Sequence, residues 1–157
     1  MLRISKLTDY GVVLASHLAT LDGPRSVREL ADDTAVPQPT TAKVLKALAK
    51  GGIVSSTRGA HGGYALAAAP ADINIAQVIA ALEGPIAVTE CTDDTSDDSC
   101  SHEDHCGVRG NWQRINAAVH TALEAVSLAD MAQRAEAPLI TLSLSAADAD
   151  AARLSRH

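Results

Sequence analysis

The chain has 157 residues, 46% of them hydrophobic, a net charge of −6 and no apolar run approaching a membrane span, so it suits one domain, or a small domain with an extension, rather than a membrane protein. Aromatic residues make up only 2% and Phe is absent, so the core must be aliphatic and, with so much Ala, rich in helix. No flavin or nucleotide motif, Ser-His-Asp set or paired acids stand out, which argues against an enzyme. The charge is segregated along the chain. Residues 1–69 carry eight Lys/Arg and five Asp/Glu, residues 70–107 carry nine acids and no Lys/Arg, and residues 108–157 carry five of each. The acidic total is therefore compatible with a DNA-binding face near the front. The N-terminus shows no signal-peptide pattern, so the expected location is the cytoplasm, where thiols stay reduced.

Leu7, Leu14, Leu18 and Leu21 recur at helical spacing and predict a helix over residues 5–21, ended by Gly23 and Pro24. Ser26 with Glu29 forms a capping-box pattern for a short second helix, whose buried stripe is Val27, Leu30 and Ala31. A turn around Ala35 to Gln38 leads to a third helix from Pro39 to Lys50, with Val44, Leu45 and Leu48 inward and Gly51 and Gly52 stopping it. Ile53 to Thr57, a Gly-rich turn through Arg58 and His61, and Tyr64 to Leu66 read as a β-hairpin. Three helices followed by a hairpin make a winged helix-turn-helix: a mainly α fold with one small β-hairpin. In that architecture the third helix enters the DNA major groove. The candidate DNA contacts are Thr40, Thr41 and Lys43, expected to face solvent at the start of the third helix, and Arg58 and His61 on the wing.

Ile75, Val78, Ile79 and Leu82 mark a fourth helix from near Asn74 to Gly84-Pro85. The stretch Cys91 to Cys106, CTDDTSDDSCSHEDHC, then holds all three cysteines, two histidines and six acids. It has too few apolar side chains to build its own core, and it looks like a segment ordered by a bound metal or iron–sulfur cluster. Eight residues separate Cys91 from Cys100 and five separate Cys100 from Cys106, whereas zinc sites favour closer pairs. A Cys/His zinc site using His102 and His105, and a thiol redox switch, are the alternatives. Val108, Trp112, Ile115, Val119, Leu123 and Val126 follow a helical period, and so long a stripe needs an apolar partner, its own domain or a twin. From about Gln133 the chain is rich in Ala, Asp and Ser and broken by Pro138, which predicts an extension or frayed tail.

The opening LRISKLTDYGV, the segment KVLKALAKGGIV and above all STRGAHGGYAL resemble the Rrf-two family of bacterial regulators, over residues 1 to about 131. ALEGPIAVTEC and CGVRGNWQRIN are most similar to the branch regulating the SUF iron–sulfur assembly system. The resemblance implies a homodimeric winged-helix transcription factor that binds a pseudo-palindromic double-stranded DNA operator. It implies DNA contacts at Thr40, Lys43 and Arg58, and repression of the assembly genes when clusters are plentiful. The cysteine loop lies where the family places its cluster, which makes Cys91, Cys100 and Cys106 the implied metal ligands. IscR-like members carry a His three residues after the last cysteine; Arg109 stands there in this chain. NsrR-like members use an Asp of the first helix from the other subunit, and Asp9 matches that position, ahead of His102, His105 and Glu90. An Asp-ligated cluster favours the [4Fe–4S] form over [2Fe–2S]. The expected organisation is a winged-helix domain over 1–83, a cluster-binding loop over 84–107, a dimerisation helix over 108–131 and an extension over 132–157.

Overall fold

The computed structural model describes residues 4–59, 62–89, 92 and 106–133. Six α-helices and one hairpin are found among them: α1 Lys6–Leu18, α2 Val27–Thr34, α3 Gln38–Lys50, β1 Val54–Thr57, β2 Gly63–Leu66, α4 Ile75–Glu83, α5 Arg109–Glu124 and α6 Leu128–Ala132, with a 3₁₀ turn at Pro70–Asp72. This is the expected mainly helical winged-helix architecture. Helix starts fall where a side chain can accept from the first free N–H groups. Ser5 Oγ accepts from Thr8 N–H, and Ser26 with Glu29, Asn74 with Gln77 and Ser127 with Asp130 form reciprocal capping boxes. Only the Ser26–Glu29 box was anticipated from the residue pattern.

The two strands pair antiparallel, with Val54 opposite Leu66 and Thr57 opposite Gly63. Arg25 extends this pairing. Its N–H donates to Tyr64 O (2.9 Å) and Tyr64 N–H donates to Arg25 O (2.7 Å), which fixes the wing to the start of α2.

The core is aliphatic. Leu14, Leu30, Val44, Leu45, Leu48, Val78 and Leu128 are completely buried in one cluster. Burying each such side chain stabilises the fold by roughly 1.5–3 kcal/mol. Small residues let helices approach closely. A Cβ on Gly11 would lie 2.2 Å from Leu82 Cδ1, so α1 and α4 touch along this face.

Two expectations change. The first helix ends at Leu18 rather than residue 21, because Thr20 and Leu21 N–H donate to His17 O and Leu18 O in a tightened turn. The apolar period after the cysteine segment does not form one helix over 108–131. It breaks after Glu124, and the Ser127–Asp130 box starts α6. Leu128 then inserts into the same core as Leu14 and Val78. Backbone bonds hold this return in place: Leu128 N–H donates to Ile73 O (2.8 Å) and Ile75 N–H to Val126 O (2.9 Å).

Three capping carboxylates lie below their usual range. Ser26 donors lower Glu29, the Thr8 hydroxyl and then Ser5 lower Glu83, and Ser127 donors lower Asp130. A carboxylate whose pKa is lower folded than unfolded stabilises the fold above its unfolded pKa, and that stabilisation is lost as pH falls through the folded value. Stability should therefore be level near neutrality with respect to these groups and decline below about pH 4. Urea midpoints at pH 7 and 3.5 check this. The combined variant Glu29→Gln, Glu83→Gln, Asp130→Asn should show a shallower decline; one as steep as in the natural chain would rule these three groups out as contributors.

Candidate nucleic-acid interface and the cysteine segment

Helices α2 and α3 are joined by a turn in which Ala35 takes φ 56° and ψ 19°. This left-handed conformation costs a residue with a Cβ roughly 1–2 kcal/mol. It is offset by Val36, which turns into the core. Pro39 sits in the first turn of α3, where a missing N–H costs nothing. Helix α3 buries Thr41, Val44, Leu45 and Leu48 and exposes Lys43, Lys46 and Lys50.

Thr40 is half-buried and Lys43 exposed, but the expectation that Thr41 faces solvent fails. Its side chain is 0% exposed, and its hydroxyl lies 3.2 Å from Val36 O and 3.3 Å from Pro37 O. The hydroxyl satisfies the turn carbonyls and is not presented to a base edge. Its spacing of three from Val44 and four from Leu45 puts it on the buried stripe, the signal that outweighs its polarity.

Lys46 and Lys50 had not been singled out. Together with Lys43 they sit at i, i+3 and i+7, one exposed helix face carrying three ammonium groups. Such a stripe can neutralise successive phosphates. Arg58 is exposed just past β1, so the wing adds another cation. His61 lies outside the described residues. The hairpin end is shaped by close approach: a Cβ on Gly63 would lie 2.4 Å from Arg25 O.

The stem of the cysteine segment leaves α4 at Gly84, whose φ of 89° ends the helix. Val88 N–H donates to Asn116 Oδ1 on α5 (3.0 Å), and Thr92 N–H and hydroxyl both reach Thr89 O. Cys106 is half-buried with a free thiol, and its carbonyl accepts from Arg109 N–H in the turn that starts α5. Cys91, Cys100, Glu90, His102 and His105 lie outside the described residues. Asp9 is exposed on the first turn of α1. Beside it, Glu83 accepts from Ser5 N–H (3.1 Å) and from the Thr8 hydroxyl. Asn116 and Glu83 were not anticipated, since isolated polar residues at helix ends carry no periodic signal. No described helix is long and apolar enough to cross a membrane.

A three-helix head with a hairpin wing, a cationic face on its third helix and a helical return is thus in place. Residues 4–134 match the family model Rrf2, described as an iron-dependent transcriptional regulator. The chain belongs to the Rrf2 family. It is similar to the regulator CymR of Bacillus subtilis (strain 168), with 31% identity over 133 residues covering 83% of this chain and 90% of CymR. The structure of B. subtilis CymR, described as the global cysteine regulator, superposes with a TM-score of 0.65 at 31% identity, covering 84% of this chain and 97% of that one. The structure of T. potens IscR gives a TM-score of 0.63 at 29% identity, covering 87% and 93%. Rrf2 members such as these are DNA-binding transcriptional regulators and not enzymes, and so is this chain.

Proposed function

We propose that this Rrf2 protein is a homodimeric, cytoplasmic repressor of iron–sulfur cluster assembly genes of the SUF type, and that it senses cluster status through a cluster held by Cys91, Cys100 and Cys106. The observation behind it is the set of three thiols within one acidic, Lys- and Arg-free segment of a chain in this family. Thiolates are soft ligands suited to iron–sulfur centres. The donor set fits such a group: Cys106 is free and half-exposed, and Asp9 is exposed, as a fourth ligand reaching the partner subunit would require. When bound, the cluster supplies the cationic centre without which three thiolates and a carboxylate would repel one another.

The DNA contacts are Lys43 and Thr40 on α3, now with Lys46 and Lys50, and Arg58 and His61 on the wing. Dimerisation falls to α5. Val108, Trp112 and Ile115 are 52%, 36% and 45% exposed and share one face, while Leu123 further along packs on the core. A second copy on that face would set two α3 helices about one DNA turn apart, matching a pseudo-palindromic operator.

The test is an absorption spectrum of anaerobically purified protein with iron, acid-labile sulfide and zinc assayed on the same sample. Near-equal iron and sulfide support a cluster, and their number per subunit separates the four-iron form from the two-iron form. A colourless, zinc-rich protein would replace the cluster with a zinc site. Asp9→Ala should speed loss of the cluster; an unaltered spectrum and loss rate would remove Asp9 as a ligand.

A further inference from the structure

The last residue of α4 is also the last before the stem of the cysteine segment, and it is bonded to the other end of the head. Glu83 accepts from the Ser5 backbone N–H and from the Thr8 hydroxyl. Ser5 Oγ in turn caps α1 through Thr8 N–H (3.2 Å) and lies 3.2 Å from Thr8 Oγ1. Thr8 is 0% exposed with Glu83 in place, so the carboxylate both covers its hydroxyl and accepts from it. Just behind this contact, Leu82 lies against Gly11 with no room for a Cβ between them. Helix α1 packs in turn on α3, which carries the lysine face. Helix α4 is thus joined to the first turn of α1 by a carboxylate and to its second turn by close packing. Beyond Glu83, Gly84 leaves the helix with φ 89° and opens the stem.

We infer that Glu83 is a positioning residue that couples the cysteine segment to the DNA-binding head, by holding the N-terminus of α1 to the point where the segment leaves α4. The role depends on the metal-sensing function proposed above. A segment that changes shape when loaded pulls on the stem, which is held to α5 by Val88 and Asn116, and through the stem on Gly84 and Glu83. Through Glu83 that pull reaches Ser5 and Thr8 and so the whole of α1. Without the carboxylate, α4 keeps its packing on Gly11 and its direct packing on α3, but the first turn of α1 is no longer tied to the stem, and the state of the segment reaches α3 far less. The physical content is a coupling between two binding equilibria, not a contribution to either one alone.

The experiment uses the full-length protein, unloaded and reconstituted anaerobically with iron and sulfide, binding a duplex selected from a random pool by the natural chain. The quantity read is the ratio of duplex affinities in the loaded and unloaded states. Couplings of this kind run about 5- to 150-fold. Glu83→Ala and Thr8→Val should bring the ratio to within about twofold of one, with iron and sulfide content and unloaded affinity unchanged. Glu83→Gln, which keeps an acceptor for both donors, should restore the ratio. A merely structural role would instead lower both affinities together and leave the ratio intact. A ratio retained in both Glu83→Ala and Thr8→Val overturns the inference and leaves the sensing function standing. Loss of bound iron from a folded variant also overturns it, since Glu83 would then serve the site itself. If Glu83→Ala does not fold, Thr8→Val, which fills the same buried volume, decides alone. A natural chain whose two states bind the duplex equally overturns the sensing function, and this inference with it.

Discussion

Replacing Lys43, Lys46 and Lys50 together by Ala should reduce operator affinity by roughly two orders of magnitude at physiological salt and flatten its salt dependence. The three ammonium groups share one exposed face of α3. A lysine that pairs a phosphate contributes about 0.9 to the slope of log affinity against log salt. At about 0.15 M salt that corresponds to roughly fivefold per contact, so three contacts give about a hundredfold and a slope shallower by nearly three. The substitutions remove no buried atom, so the urea midpoint should hardly move. Fluorescence anisotropy over a salt series is the measurement. An unchanged slope would mean that α3 does not face the phosphates and that the cationic face is only solvated. Arg58→Ala should weaken binding by a single such contact if the wing touches the backbone.

Gly63→Val should destabilise the fold by about 2 kcal/mol or more, although Val is the better strand former. Strand preference spans only about 1 kcal/mol across residue types. Against it, a Cβ at this position would stand 2.4 Å from Arg25 O and 2.5 Å from Arg25 C, both backbone atoms that cannot rotate away. Relief requires separating the two segments, which breaks the Arg25–Tyr64 pair of hydrogen bonds at 2.9 and 2.7 Å. Overpacking costs roughly 1–3 kcal/mol and each lost bond about 0.5–1.5 kcal/mol, so packing outweighs propensity. Urea denaturation decides. A midpoint equal to or above that of the natural chain would show that the wing is not held to α2 by this contact.

Much of the head was legible because its signals are local. Ser26 and Glu29 announce α2, the stripe Val44, Leu45 and Leu48 orients α3, and the run from Arg58 to Gly63 marks the wing. What was missed depends on tertiary context. Thr41 looks like a surface residue until the turn carbonyls of Val36 and Pro37 require a donor inside. The apolar period through Val126 continues past the point where the chain actually turns, because a capping box at Ser127 competes with helix propagation and Leu128 has a vacancy in the core to fill. Lys46 and Lys50 were visible as letters, but their meaning depends on α3 exposing that face. Glu83 and Asn116 act on partners 75 and 28 residues away, a separation no periodicity can reveal. The thiols stood out by composition alone, and of the three only Cys106 lies among the described residues.

The docking of α6 has a consequence for how the protein is made. The last residue of α4 is Glu83, yet Leu128, wholly enclosed beside Leu14 and Val78, is translated forty-five residues later. At roughly 5–20 residues per second the ribosome needs about 2–9 seconds to cover that distance. During this interval the nascent head has an open seat in its interior, and Ile73 and Ile75 lack their backbone partners at Leu128 and Val126. The acidic, apolar-poor cysteine segment is what emerges while the head waits. A chain that stopped after Cys106 would carry every helix of the reading head and still be unable to close it. A free-standing DNA binder that ends at the cysteine segment is therefore disfavoured, because Leu128, which completes the interior of the head, is made after that segment.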